Sequence, residues 1–463
     1  MNRFLKYCFL LASIAIIGSC TSSDKEQLTY FGGKIIHPKS DFVLLYKNDM
    51  LVDSLFLDKE DKFLGSYKNF DEGFYYFIHG NENQYIYIEP KDSISIRLNT
   101  WDFDETLVFS GKGADKNNIL IDCFLENEKE RFSHNIFSFY KLEATKFKAK
   151  IDSLLASRQD KIDYFKERQT EELPENYSKI LEVFAKYALY TRFERYPSRN
   201  KNLNKSADYP KLGADYYSYR ENIDLNNSDL MYLTFYTQYI VNRLHNNVHS
   251  QGISSKSNEF TVALLNTIND NITSEKTKNT YLRQMVLNDF LDRSSCDINK
   301  DAFYTYFKLS SDIEDKKEVQ RLINDTKKIH EGTKLPAFNV LNYNNSTQSI
   351  TKLTKNKNSV IYLWNPKYTS EEYLASRIKY LTTKFPKLNF IGVKVSSKEN
   401  QNYIKGIDIK TQFYINNDNT ANEFLTSRLT RTLLVNKKGV IVNGYASITS
   451  SKINKQLKAL QKN

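Results

Sequence analysis

Between Leu28 and about Ser110, apolar and polar residues alternate in short runs: FVLLYK, LVDSLFL, FYYFIHG, QYIYIEP, SISIRLN and TLVFSG. Turn-forming stretches at residues 58–63 and 72–75 lie among them. A period of two puts every second side chain on one face, which predicts an antiparallel sheet or sandwich. From about residue 115 to 330 the spacing changes. In KLEATKFKAKIDSLLASRQDKIDYFKERQ, YSKILEVFAKYALYTRF, DLMYLTFYTQYIVNRLH and EFTVALLNTINDNI, apolar residues recur at three and four, the spacing of amphipathic helices. Seven or eight helical elements are expected, with Ser228-Asp229 and Ser274-Glu275 as start signals. A polar, Tyr-rich loop from about Pro197 to Asn227 interrupts them. From about Gly332 strands and helices alternate. NSVIYLWNPKYTSEEYLASRIKYLTTKFPKLNFIGVKVS reads as β-α-β, RLTRTLLVNKKGVIVNGY as a hairpin, and SSKINKQLKAL as a terminal helix. That order implies a parallel or mixed sheet.

The pattern therefore predicts a multidomain α+β chain: a β-sandwich-like domain over 28–111, a helical middle over 112–330, and an α/β domain over 331–463. Its 463 residues suit about three domains. With 40% hydrophobic and 26% charged residues the composition is globular. The scarcity of Gly (15) and Pro (8) favours a helix-rich interior over a Gly-rich barrel or propeller. Four scattered cysteines and a single sustained apolar stretch exclude disulfide-dense scaffolds and polytopic membrane proteins.

That apolar stretch opens the chain. Arg3 and Lys6 precede a core over residues 8–17, too short to span a bilayer, which needs ~20 residues. This is the pattern of a secretion signal. The core ends in Ile17-Gly18-Ser19-Cys20, which resembles a bacterial lipobox. The resemblance implies that residues 1–19 are a lipoprotein signal peptide, that Cys20 is the lipidated first residue of the mature protein, and that 20–27 form a tether. Acyl chains would anchor it to the membrane at ~0.8 kcal/mol per buried CH2. A plain signal peptide with a coincidental cysteine is the alternative. Because Thr21 is not an aspartate, sorting by analogy favours the outer membrane, with the periplasmic or cell-surface face left open.

Charge divides the chain as sharply as periodicity does. Lys plus Arg against Asp plus Glu is 9 to 16 over residues 21–111, 34 to 32 over 112–330, and 21 to 7 over 331–463. A domain so basic usually meets nucleic acid, a partner that an exported lipoprotein seldom encounters. An acidic protein, anionic headgroups or the chain's own acidic β domain remain as partners, beside a merely solvated Lys-rich surface.

Two further resemblances bear on function. The succession GFYYF, YIYIEPKDSISI and FSGKGADKN is similar to the small β domain found ahead of thioredoxin-like domains in many lipoproteins of certain Gram-negative bacteria. Residues 331–463 resemble the thioredoxin-like domain of TlpA-type thiol-disulfide oxidoreductases, through Pro336 and Phe338, VIYLW ending at Trp364, and the hairpin LLVNKKG. In that family two cysteines three residues apart follow the Trp, and the thiolate lies at a helix N-terminus that lowers its pKa. Here Tyr368 and Glu371 stand at those positions, and Thr430 stands at the family's cis-proline. A cis bond before a residue other than proline costs ~2.5–4 kcal/mol, so a trans peptide is expected there. Residues 331–463 contain no cysteine. The resemblance thus implies a thioredoxin-like fold without its redox chemistry.

Other constellations are weaker. GKGAD lacks the Lys-Ser/Thr pair of a phosphate loop. His245 and His249 share a helix face but lack the further ligands of a metal site. Cys123 and Cys296 read either as a disulfide or as separate buried thiols. No catalytic residues, metal or cofactor are expected. Tyr368 and Arg431 beside the groove where the family's active site would lie, together with Trp364, and Tyr209, Tyr216, Tyr217 and Tyr219 in the Tyr-rich loop, are candidate partner contacts, with ordinary packing as the competing reading. The expected function is that of a non-catalytic outer-membrane lipoprotein acting as an accessory or binding subunit with an envelope protein partner. The alternatives are a periplasmic thiol-disulfide oxidoreductase-family protein and a surface glycan or peptide binder feeding a transporter.

Overall fold

A computed structural model describes residues 28–48, 50–80, 82–132, 136–292, 298–366, 369–395, 403–416, 419–425, 431–450 and 452–462. The expectations placed on Cys20, Cys296, Tyr368 and Thr430 fall outside these residues. The chain divides into two compact units, Met1–His249 and Ser250–Asn463. The division runs through the helical region expected as one domain. Its first part belongs with the β domain and its second with the C-terminal sheet.

In the first unit eight strands form two four-stranded sheets: β1 (Thr29–Ile36), β2 (Phe42–Lys47), β3 (Met50–Phe56), β4 (Lys62–Tyr67), β5 (Gly73–His79), β6 (Glu82–Ile88), β7 (Ser93–Asn99) and β8 (Val108–Lys112). Their orders are β4-β1-β7-β8 and β3-β2-β5-β6. The period-two pattern does what it predicts. In β7, Ile94, Ile96 and Leu98 are buried while Ser93, Ser95 and Arg97 are exposed. Phe31 and Ile35 of one sheet and Val43, Leu45, Phe77 and Ile86 of the other belong to one apolar core. The pairing is antiparallel except between β1 and β7, which run parallel.

A short helix, α1 (Phe103–Thr106), precedes β8, and α2 (Ala114–Arg131) follows it. The glycines of GKGAD make this strand-to-helix turn. Gly111 and Gly113 have φ of 92° and 91°, values that side chains disfavour. A Cβ at 111 would lie 2.0 Å from the Ser93 carbonyl, and one at 113 would lie 2.5 Å from the Asp92 carboxylate. An aspartate thus faces the loop where a phosphate would need a cation. Two adjacent asparagines of α2 then close both sheets. Asn117 accepts from the Tyr87 N–H at 2.7 Å and donates to its carbonyl at 2.8 Å. Asn118 does the same for Phe109, at 3.0 and 2.9 Å. Since β6 and β8 are edge strands, these amides satisfy backbone groups that would otherwise be open to another chain.

The remaining helices of this unit are α3 (Ile136–Tyr140), α4 (Ala144–Glu167), α5 (Glu175–Leu203) and α6 (Thr234–His249). Helix α5 runs through Pro197 instead of ending there. Proline has no N–H for the carbonyl four residues earlier, and the Tyr216 hydroxyl supplies the missing donor, bonding the Phe193 carbonyl at 3.3 Å. The expected helix start at Ser228 also moves. Asn227 caps a short 3-10 turn over Ser228–Leu230, and α6 begins only at Thr234.

The second unit opens with α7 (Asn258–Asn271), α8 (Glu275–Asp292), α9 (Lys300–Leu309) and α10 (Ile313–Lys328). Then come β9 (Asn339–Asn342), β10 (Thr347–Ser349), α11 (Ile350–Thr354), β11 (Ser359–Trp364), α12 (Glu371–Lys384), β12 (Asn389–Val395), β13 (Gln412–Ile415), β14 (Arg431–Val435), β15 (Ile441–Ala446) and α13 (Ile453–Lys462). One mixed sheet has the order β10-β9-β13-β12-β11-β14-β15. Its centre pairs β11 with β12 in parallel and with β14 antiparallel. The expected β-α-β unit, hairpin and terminal helix are all present. Ile361 and Leu363 join the core on one face, and Val360, Tyr362 and Trp364 join α12 and α13 on the other. This two-sided burial is why SVIYLW is a continuous apolar run.

Candidate functional site

In the second unit the groove lies at the start of α12. Ser370 caps the helix, its side chain accepting from the Tyr373 N–H at 3.3 Å. Glu371 and Glu372 fill the first turn. The Ser370 hydroxyl also donates to Glu372 at 2.7 Å. That bond, helped by the glutamate's own backbone N–H, holds the Glu372 carboxyl below the usual range. A helix N-terminus favours an anion, and these two carboxylates lie in that field.

Behind them, Lys394 on β12 is almost wholly buried, with its ammonium 5.2 Å from the centre of the Trp364 ring. Burial lowers its pKa, and the Glu371 carboxylate opposes that shift. Tyr343 packs against Tyr403 and Tyr414, with ring centres 5.7 and 5.6 Å away. Glu371, Glu372, Tyr403, Ile404 and Lys405 line a cavity of about 540 Å³. The cavity itself therefore presents the two carboxylates, the Tyr403 ring and Lys405, with Lys394 buried in the neighbouring strand. These groups can bind and orient, and none of them forms a disulfide.

Trp364 and Arg431, read from the sequence as partner contacts, are enclosed by the chain itself. Trp364 is 2% exposed and belongs to the core beneath α12. Arg431 is spent within the unit. Both terminal nitrogens donate to Asp325 of α10, its Nε donates to the Gly444 carbonyl at 2.6 Å, and Tyr445 covers the guanidinium at 4.3 Å. Asp325 has no exposed surface, so the pair joins α10 to the sheet and belongs to the architecture.

Most of the Tyr-rich loop is likewise internal. Tyr216 repairs the proline gap in α5, as described above. Tyr219 donates to Glu194 at 2.6 Å, and the Tyr217 hydroxyl accepts from Asn246 at 2.9 Å. Arg220 lies 3.7 Å from the centre of the Tyr217 ring and pairs with the same glutamate. Of the four only Tyr209 is exposed, with the Lys201 ammonium 4.3 Å from its ring centre. His245 is tied to its own helix, its Nδ1 lying 2.7 Å from the Val241 carbonyl. Cys123 is buried in α2, and burial pushes its thiol up to about 11.

Sequence reasoning missed Lys394, Tyr343 and Tyr403. Lys394 left a usable signal. It is a charge inside the apolar strand NFIGVKV, and lysines are almost never buried without a reason.

No protein-family model matches this chain, and no curated protein matches it. Several solved structures are similar over less than a third of its length. A candidate thiol-disulfide oxidoreductase from Bacteroides vulgatus is 19% identical, with 29% of this chain and 98% of that chain covered and a TM-score of 0.24. A candidate thiol:disulfide interchange protein DsbE from Chlorobium tepidum is 12% identical, covering 29% and 99% at a TM-score of 0.23. The thioredoxin domain of a second Bacteroides vulgatus thiol-disulfide oxidoreductase is 17% identical, covering 27% and 97% at 0.22.

Proposed function

We propose that the chain is a lipid-anchored outer-membrane protein whose C-terminal thioredoxin-like region binds an envelope protein partner without thiol chemistry. One observation carries this reading. Glu371, in the first turn of α12, stands at the second of the two positions where the resemblance calls for cysteines, and residues 331–463 contain no cysteine. Thiol exchange proceeds by attack of a thiolate on a disulfide sulfur, and a carboxylate cannot take that part. The cavity lined by Tyr403 and Lys405 beside the two carboxylates supports a recognition surface there. The anchor rests on Cys20 and the lipobox resemblance.

The test is to tag the native protein at its C-terminus and identify what co-purifies from mild-detergent extracts. A near-equimolar envelope partner is expected, lost when Glu371 and Glu372 are both changed to Lys. Binding that survives this reversal would count against the groove. Cys20→Ser should abolish incorporation of labelled palmitate. A disulfide-reduction assay on the soluble body should show no turnover, whereas turnover abolished by Cys123→Ser or Cys296→Ser would establish the oxidoreductase reading.

A further inference from the structure

The first unit holds a second site, independent of the groove at α12. A cavity of about 590 Å³ lies among β6, α2, α5 and α6, within the range of small-molecule sites. One wall is aromatic: Tyr85, Phe184, Phe235 and Phe124 follow one another with ring centres 6.2, 5.5 and 6.5 Å apart. The other side is cationic. Arg192, Arg195 and Arg199 recur along α5 at the spacing that shares a helix face, and Arg131 ends α2. Four arginines line the cavity against one carboxylate, Glu128.

The partners of these arginines are unequal. Arg192 pairs with Glu130 at 2.8 Å, and Glu130 also takes Arg158. Arg131 reaches Glu128 at 3.2 Å. Arg195 donates its Nε to the neutral amide of Asn242 at 2.8 Å. Among the described residues neither Arg195 nor Arg199 has a carboxylate partner. Burial pushes the Arg195 guanidinium below its usual value, partly opposed by Tyr140 and reinforced by Arg199, Arg131 and Arg192. Asn127, which lines the cavity and is 3% exposed, donates to the Phe184 carbonyl at 2.9 Å, and its Oδ1 has no partner. A buried acceptor left open costs ~1–3 kcal/mol; only a donor would satisfy it, so this atom marks a polar side of the cavity and does not itself select an anion.

We propose that this cavity binds an organic anion, with an apolar acyl or aryl body on the Tyr85–Phe235 wall and a carboxylate or phosphate group held by Arg195 and Arg199. Guanidinium groups grip such groups through paired N–H donors. The aromatic wall requires more than a bare ion.

The test uses the full mature chain, kept soluble by Cys20→Ser, in calorimetric titrations with laurate, 2-naphthoate, inorganic phosphate and dodecylamine. One-site binding of laurate or naphthoate is expected, and the better of the two identifies the body as acyl or aryl. Phosphate and dodecylamine should not bind. R195Q and R199Q should each weaken the organic anion by about tenfold or more, while R199K retains most of the affinity. Arg199 is exposed, so R199Q will fold even if another variant does not. The proposal is overturned if neither organic anion binds, if phosphate binds as well as they do, or if folded R199Q and R195Q bind like the parent.

Discussion

Glu194 accepts hydrogen bonds from Tyr219 at 2.6 Å, from Arg220 at 2.9 Å and from Asn246 at 2.7 Å, with its side chain fully enclosed. Arg195, the next residue of the same helix, has one neutral partner and stands among three other arginines. The fold supplies partners for the first charge from α6 and from the Tyr-rich loop. For the second it leaves donors facing a cavity. A buried charge whose partners all come from its own chain is architecture, and one with spare donors beside an open volume is a place for something else. Asp325 and Arg431 repeat the first case in the second unit.

The sharpest way to break this comparison is to remove the acid from each satisfied pair. Glu194→Ala strands the Arg220 guanidinium, and Asp325→Ala strands Arg431. Each should destabilise its unit by about 3–5 kcal/mol, the usual cost of leaving one partner of a buried pair. Replacing Asp325 and Arg431 together by Leu and Met should recover most of that loss. Denaturant unfolding reads all of these, and a cost under 1 kcal/mol for either single change would remove the distinction.

A smaller effect is expected at Tyr216, whose hydroxyl serves the Phe193 carbonyl because Pro197 cannot. Tyr216→Phe should cost about 1–3 kcal/mol. In a Pro197→Ala background, where an N–H returns to the helix, the same change should cost much less. Equal costs in both backgrounds would mean that the hydroxyl does not replace the missing donor.

These residues also show what was legible in the sequence. The sandwich, the helices and the α/β order followed from periodicity, because burial acts on every second residue of a half-buried strand and on every third or fourth of a helix. The unit boundary did not follow. Periodicity reads the helices from 115 to 330 as one run, and nothing local marks His249 as the end of a unit; nor does it show that Asp325 of that run pairs with Arg431, 106 residues away. Pro197 reads as a helix stop by local rules, and only a tyrosine 19 residues later reverses that. The arginines were visible individually, yet nothing in a linear reading brings Arg131 to the face shared by Arg192, Arg195 and Arg199. Tyr216, Tyr217 and Tyr219 looked like an aromatic binding surface because composition does not reveal which hydroxyls are already bonded.

His79 offers a titratable version of the satisfied case. It is 1% exposed, accepts the Lys39 N–H on Nε2 at 2.9 Å, and holds Nδ1 3.0 Å from the Phe42 carbonyl. Those bonds need the neutral ring protonated on Nδ1. Burial, despite the Phe42 carbonyl and with help from Lys39, lowers the folded pKa, while the unfolded value stays near ~6.5. Below that pH the unfolded chain takes up a proton that the folded chain resists, so stability falls as pH drops. The denaturation midpoint of the first unit should therefore decrease between pH 7.5 and 5.5, with a shallower slope in His79→Gln. An identical slope would show that the ring is not held neutral.

The smallest expected effect is the one that defines the other side of the comparison. Arg195→Gln removes a half-buried charge that has only a neutral partner and relieves repulsion from Arg192, Arg199 and Arg131, while the glutamine can still donate to Asn242. Its stability should stay within about 0.5 kcal/mol of the parent or rise slightly. A loss of several kcal/mol, like that expected at Glu194, would mean that Arg195 belongs to the architecture after all. Near-neutrality would mean that the fold does not need this guanidinium and leaves its donors free for a ligand in the cavity it lines.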